Sequence, residues 1–463
     1  MSDCIALNFF NKITKLPRPS GKEKIIVQYL IDFAKKHELR YEVCGANNLI
    51  IYKPATNGKN STIILQSHLD MVCEKDIDTE IDFDTESIET IIDGDFIKAN
   101  GTTLGADNGV GVAIILSILQ NKNLKHCNIE ALFTTQEETT MEGARTVDYS
   151  LLNGKAILSL DGTNELCIDS ASAGMTVLSI EKDLTVINNP EPKMLITMSG
   201  LKGGHSGEDI DKNRSNAIKV MTAFLKTFRA TLVCTFNGGN KDNAIPRDCK
   251  VLTCHNNLYR LNQSIERFNK EVKENNIDDS EFTIKHEIVE YPTSYSFEDN
   301  AMLLNLLEGL PNGVIKANEE GFTLTSCNLA SITTNNEKVT VKVSVRSSVQ
   351  EEEVLLIKAI KKVARKNKFK VKILSTAPFF EENKNSELIA LCKKTYKDLY
   401  NKEVASKPIH AGLEGGVFAQ NIENADICVI GANLYDIHST SERASISSIE
   451  RVEKWVEKIV EEF

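Results

Sequence analysis

Several short clusters place histidine and carboxylate side chains directly after runs of apolar, strand-like residues. The first, His68-Leu69-Asp70, closes IILQSHLDMV. Residues i and i+2 of a strand share a face, so an imidazole and a carboxylate can point into one cleft. A metal-bound histidine usually has its second ring nitrogen held by such an acceptor. The next cluster, GADNGVG from Gly105 to Gly111, opens an apolar helix. A glycine-rich turn before a helix is also how phosphate is cradled. Here the spacing is not GxGxxG, and Asp107 would turn its own negative charge on the phosphate. An acid held by glycines at that position suits a cation, and a carboxylate can bridge two. The third cluster, TTQEE, ends the strand-like IEALF with Glu137 and Glu138. Neighbouring side chains leave an extended chain in opposite directions. One carboxylate can then be a ligand while the other exchanges a proton with bound water. Asp161 follows AILSL, and His438 stands in GANLYDIHSTSERASI. Each pattern alone also describes a solvated acidic turn or a strand-end histidine. Their joint recurrence, with two imidazoles, several carboxylates and no thiol, points to a hydrolytic centre holding a pair of zinc or manganese ions.

The elements that must carry these groups alternate. A helix is predicted over 22–36, strands over 48–52 and 62–69, and a helix over 109–119. A strand over 129–135, a helix over 142–152 and a strand over 156–160 follow. This is the rhythm of an α/β domain, whose active sites lie at strand ends. Between about 184 and 375 the texture changes. One sub-segment runs from a strand at 194–199 through a helix at 215–228 to strands near Val233 and Val251 and a helix at 264–274. A second runs from a helix at 300–307 through strands near Phe322 and at 339–345 to a helix at 351–366. The two share an element order and read as related halves of an inserted α+β domain. The chain then returns to its first rhythm, with a helix at 386–400, a strand at 426–430 and a helix at 448–462. The expected division is 1–183 with 376–463 for the catalytic domain and 184–375 for the insert.

The bulk properties narrow the function classes. A chain of 463 residues favours two domains. With 54 basic against 65 acidic residues the net charge is -11, which argues against nucleic acid and anionic membranes as partners. Eleven cysteines are scattered without a CxxC pair, Cys249 and Cys254 being five apart. They read as reduced thiols. The start, with its apolar residues broken by Asn8, Asn11 and Lys12, has no signal-peptide pattern, and no run of eighteen apolar residues occurs. A cytoplasmic protein is expected.

SHLDMV, GADNGVG, TTQEET, SLDGT, GGHSGEDI, HAGLEGG and IHSTSER occur in an order and at intervals that resemble the dinuclear zinc peptidases. That family includes carboxypeptidase G, carnosinase and succinyl-diaminopimelate desuccinylase. The likeness runs furthest toward the subgroup of bacterial aminoacyl-histidine dipeptidases. The resemblance implies a phosphorylase/hydrolase-like catalytic domain with a lid, two divalent ions per subunit (zinc, with manganese or cobalt as alternatives), and hydrolysis of Xaa-His and other dipeptides. It implies that His68 and Asp161 bind one ion, Glu138 and His438 the other, and Asp107 both, with a cis peptide after Asp107. Glu137 is implied as general base toward a bridging water and Asp70 as the group orienting His68. His205, in LKGGHSG, would stabilise the oxyanion. Arg346, in KVSVRSS, would hold the substrate's terminal carboxylate, a task guanidinium geometry suits. Asn328, in SCNLAS, and Asn243, in NAIP, would assist. The run Gly412 to Gly416 would let backbone approach the ligand, with Glu414 contacting the free amine and His410 behind. His37, His126, His255 and His286 are read as structural or surface residues. A monomer or homodimer acting on small peptides is expected, and a duplicated lid would supply His205 within one subunit. An N-acyl-amino-acid amidohydrolase or a tripeptidase on the same site is the enzymatic alternative. A non-catalytic peptide- or metal-binding protein is the other.

Overall fold

The apolar runs become a mixed sheet of eight strands. Their order is Arg40–Cys44, Asn48–Lys53, Asn128–Thr134, Thr62–His68, Ala156–Ser159, Asp426–Val429, Cys167–Ser172 and Ala405–Ile409. This computed structural model describes residues 4–227, 232–254, 257–335 and 337–463. Thr62–His68 runs parallel to both its neighbours, and Asp426–Val429 runs parallel to Ala156–Ser159. Parallel strands need cover on both faces, and side-chain alternation supplies it. Ile63, Leu65, Ile129, Ala131, Phe133 and Leu158 enter one apolar cluster with residues of helices Ala106–Gln120, Glu387–Tyr400 and Ile446–Glu462. Ile64, Leu132, Ile157, Ile427 and Val429 enter a second with Val417 and Phe418. In helix Ala106–Gln120 every residue from Asn108 to Leu119 is buried, so its sequence is apolar all round.

The chain clusters into two units. One comprises Met1–Ser172, Phe380–Ile409 and Leu413–Phe463 and contains this sheet; the other comprises Ala173–Phe379 and His410–Gly412. The second unit holds a nine-stranded sheet made of two β-α-β-β-α-β halves. In one half the strands are Lys193–Ser199, Val233–Gly238, Cys249–Cys254 and Thr283–Val289, with helices Ala217–Lys226 and Leu258–Asn275. In the other they are Gly174–Asp183, Thr323–Asn335, Lys338–Ser347 and Lys370–Ala377, with helices Phe297–Gly309 and Gln350–Lys366. Both halves are laid out fourth, first, third, second, and their second strands meet through Gly238 and Ile332. The ninth strand, Gly313–Ala317, pairs with Thr323–Asn335. The first half is thus inserted after the opening strand of the second. That is why Gly174–Asp183, on the catalytic side of a boundary drawn at 183, lies between Lys338–Ser347 and Lys370–Ala377.

Local departures from the sequence expectations have local causes. The helix expected over 142–152 stops at Thr146. A short 3-10 turn, Tyr149–Leu151, then begins on Asp148, whose side chain accepts from the Ser150 amide. Asn8, Asn11 and Lys12 do not interrupt structure: they form the exposed face of helix Ile5–Ile13, whose Ala6, Leu7, Phe9, Phe10 and Ile13 are buried. The helix expected over 215–228 is Ala217–Lys226, and Phe228 lies outside the described residues. Among the described residues, no helix is long and apolar enough to cross a membrane.

Candidate metal centre and surrounding site

His68 is the last residue of its strand, and both its ring nitrogens are directed. Nδ1 lies 3.5 Å from Asp70 Oδ1 and 3.2 Å from the Asp70 carbonyl. Nε2 lies 3.1 Å from Asp107 Oδ1 and 3.2 Å from Asp161 Oδ1. The other oxygen of Asp107, Oδ2, lies 3.3 Å from His438 Nε2, which is 3.0 Å from Glu138 Oε1. Two donor groups therefore share Asp107, one oxygen each. His68, Asp107 and Glu138 each present a ligand atom within 4.8 Å of the others. The peptide bond after Asp107 is cis. The helix start approaches the strand ends closely at Gly111, where an added Cβ would lie 2.2 Å from Asn108 Oδ1 and 2.8 Å from both Ser67 Oγ and the Leu160 carbonyl.

The electrostatics of this cluster fit cations. Burial lifts the Glu137 carboxyl well above its ordinary range, and the charges of Asp161, Glu138 and Glu414 lift it further against the pull of His68. Burial, Asp107 and Glu138 raise Asp161 to about 7, again against His68. Asp161 Oδ1 is buried, and the His68 ring nitrogen is its polar neighbour. Burial disfavours protonation of His438, yet Asp107 and Glu138 raise it to about 11. His68 is likewise raised despite burial, by Asp161, Asp107 and Asp70. Carboxylates crowded on two imidazoles, with no thiolate, are a donor set for divalent zinc, manganese or cobalt. The residues present fit such a pair.

Asp70 ties the centre together from behind. Fully buried, it accepts from Ser20 Oγ at 2.6 Å, from the Glu137 amide at 3.0 Å and from the Glu138 amide at 3.1 Å. Burial alone would raise its carboxyl; His68, Ser20 and the Glu137 amide hold it down to about 2. Glu414 is also buried. Its Oε2 accepts from Gln66 Nε2 and Thr134 Oγ1, both at 2.6 Å, while Oε1 has no hydrogen-bond partner among the described residues. Burial, with Asp161 and Asp70 nearby, raises Glu414 to about 8.

The second unit carries the remaining candidates. His205 pairs with Ala244 in a two-stranded ribbon. Its Nδ1 accepts from the Gly207 and Glu208 amides, both at 3.3 Å, which leaves the proton on Nε2. Arg346, on strand Lys338–Ser347, is 5% exposed, and its Nε donates to Ser206 Oγ at 3.4 Å. Burial lowers it to about 10, against the pull of the Glu208 charge. Asn328 is engaged at both ends: Nδ2 donates to the Ala244 carbonyl at 2.8 Å, and Oδ1 accepts from Asn216 at 3.4 Å. It braces the strand opposite His205. Asn243 accepts the Ser206 amide through its carbonyl at 2.8 Å. His410 Nε2 lies 2.7 Å from Ser326 Oγ; burial and the Arg346 charge lower it to about 4. Of the other histidines, His37 packs on Phe33, His126 Nδ1 meets the Cys127 carbonyl at 2.7 Å and His286 meets Asn262 at 2.9 Å. His255 lies outside the described residues.

Sequence reasoning singles out neither Arg18 nor Glu442, which hold the backbone beneath the centre. Glu442 lies inside IHSTSER, the one signal that could have found it; Arg18, in LPRPS, offers none.

The sequence model described as Peptidase family M20/M25/M40 matches residues 64–462. The cytosol non-specific dipeptidase of Escherichia coli (strain K12) is 30% identical over 455 residues, covering 96% of this chain and 94% of that protein. The crystal structure of aminoacylhistidine dipeptidase from Vibrio alginolyticus superposes with a TM-score of 0.87 at 31% identity, covering 100% of this chain and 97% of that one. A tripeptidase from Staphylococcus aureus shares the fold with a TM-score of 0.59 at 16% identity, covering 99% of this chain and 97% of that one.

Proposed function

The chain belongs to peptidase family M20/M25/M40, and from that premise we propose that it is a cytoplasmic metallodipeptidase hydrolysing the amide bond of dipeptides, Xaa-His among them. The observation that carries this reading is Asp107, which turns one oxygen toward His68 and the other toward His438. The names of the relatives in Escherichia coli and Vibrio alginolyticus support the substrate class. His68 and Asp161 would hold one ion, His438 and Glu138 the other, with Asp107 between them. Zinc is the metal assigned, and manganese or cobalt suits the same donors. When bound, such a pair polarises the scissile carbonyl and makes the attacking water more acidic.

The chain's own residues do the rest. Glu137 takes the proton of the attacking water and passes it to the leaving amine. Its backbone amide is pinned by Asp70, so one carboxylate orients both the base and His68. His205 presents an Nε2 proton to the developing oxyanion. Arg346, a buried guanidinium that donates to Ser206, takes the substrate's terminal carboxylate. Glu414 takes the free amine through its unpartnered oxygen. Asn328 positions the His205 ribbon.

Glu137→Ala tests the assignment. The variant retains two equivalents of metal and loses nearly all turnover; loss of both would make Glu137 a ligand. A panel of Xaa-His dipeptides, tripeptides and acetylated amino acids, run before and after chelation, separates the dipeptidase from a tripeptidase or an N-acyl-amino-acid amidohydrolase. Metal-loaded protein that hydrolyses none of them would be a binding protein.

A further inference from the structure

We propose that Arg18 and Glu442 are positioning residues that set the spacing of His68, Asp107 and His438 before any ion binds, a proposal that rests on the metal-centre reading. Neither touches the donor atoms; both act through backbone.

Glu442 is 2% exposed, and its carboxylate is filled by four consecutive amides. Oε2 accepts from Leu104 N at 2.7 Å and Gly105 N at 3.0 Å; Oε1 accepts from Ala106 N at 2.8 Å and Asp107 N at 3.3 Å. The last of these is the amide of the shared ligand. Glu442 also follows His438 by four residues, so one C-terminal loop contributes an imidazole and grips the backbone carrying Asp107. Arg18, 1% exposed, completes the frame from the other side. Its Nη1 donates to the Leu69 and Asp70 carbonyls, both at 3.0 Å, just beyond His68, and its Nη2 donates to the Gly105 carbonyl. The loop lies against the guanidinium so closely that a Cβ at Gly105 or Gly109 would come within 2.5 or 2.7 Å of Nη2. Glu442 is the leading opposite charge acting on Arg18, so two buried ions of opposite sign compensate each other while their hydrogen bonds go to backbone.

This arrangement differs from ordinary core stabilisation. A buried ion pair is a poor source of stability compared with apolar packing. Here the hydrogen bonds of the two side chains end on Leu69, Asp70 and the stretch Leu104 to Asp107. The pair joins the ends of two strand-derived loops and the His438 loop. Outer partners of this kind typically govern metal affinity by about 10- to 100-fold.

The test uses metal-stripped full-length protein, Glu442→Gln, Arg18→Lys and Co(II) as probe. Glu442→Gln turns an NH2 onto two amides, and Arg18→Lys keeps the charge but loses the fork. Wild-type protein is expected to bind two Co(II). Each variant is expected to bind at least one ion about 10- to 100-fold more weakly, with an altered Co(II) absorption spectrum. Wild-type affinity and spectrum, with only a lowered melting temperature, would reduce the pair to structural packing and overturn the proposal. A second measurement needs no variant: hydrogen exchange of amides 104–107 in metal-free wild type. Slow exchange before metal addition is expected. Free exchange that slows only on adding Co(II) would show the ion organising the loop, and would overturn the proposal even if the variants fail to fold. Wild-type protein that takes up no Co(II) overturns the metal-centre reading itself.

Discussion

Replacing Asp70 by Asn keeps the side chain's size while removing a charge that four groups address: Ser20, the two amides of Glu137 and Glu138, and His68. The amide cannot satisfy all of them. With its NH2 at Oδ1 it meets the Glu137 amide and His68; at Oδ2 it meets the Glu138 amide. The magnitude follows from the carboxyl, held down to about 2 in the fold against about 3.9 in an unfolded chain. That difference corresponds to at most ~2.5 kcal/mol of native stability at neutral pH. Because the folded value is depressed, this stability is present above about pH 4 and is lost as the pH falls toward 2. Urea unfolding of metal-stripped Asp70→Asn should therefore show a deficit of that order at pH 7, shrinking as the pH is lowered below 4. Metal affinity should fall about 10- to 100-fold, and kcat/KM should fall with it because Glu137 loses its anchor. A variant matching wild type in metal-free stability and in metal affinity would mean that Asp70 anchors neither His68 nor Glu137.

Three further outcomes are expected. His205→Ala should lower kcat about 10²- to 10³-fold, the range for removing one oxyanion donor, with metal content unchanged by direct analysis. Burial raises the Asp169 carboxyl to about 6 despite Lys407. Between about 4 and 6 the folded chain keeps a proton that the unfolded chain has lost, so stability falls as pH rises through that window. Asp169→Asn should thus be roughly 1 to 3 kcal/mol more stable than wild type at pH 7.5 but not at pH 4, as read by thermal unfolding at both. Trp455→Ala, which empties a fully buried site whose indole donates to the Cys392 carbonyl at 3.0 Å, should cost about 3 to 5 kcal/mol in urea unfolding.

What the sequence makes legible follows from local rules. His68, Asp107, Glu137, Glu138 and Asp161 stand at strand or helix ends, where a change of hydropathy texture marks the boundary. His438 is less direct, since it lies nine positions beyond its strand's last residue, Val429. Helix Ala106–Gln120 is visible only as an apolar run, because complete burial erases the periodicity that would identify it. Helix Ile5–Ile13 is hidden by the opposite error, in which the polar outer face of a short amphipathic helix resembles a break. Arg18 and Glu442 escape because their partners are backbone groups, 51 and 338 residues away at the ends of the chain contacts Arg18–Leu69 and Leu104–Glu442; no side-chain pattern records such a partnership. Asn328 illustrates a third limit: residue type does not reveal that both ends of an amide are already engaged, here with Ala244 and Asn216.

The interleaving of the two β-α-β-β-α-β halves bears on biosynthesis. Residues 193–289 leave the ribosome as one contiguous block able to close on itself, whereas Gly174–Asp183 emerges earlier and must wait for Lys370–Ala377. At typical translation speeds that delay is on the order of ten to forty seconds. Until Lys338–Ser347 emerges, a strand containing Val177, Leu178 and Ile180, all later buried, lacks both of its neighbours, and it lacks the second until Lys370–Ala377 follows. Nascent chains of this protein therefore carry an open apolar edge through much of their synthesis, the kind of surface on which chaperones act and aggregation begins.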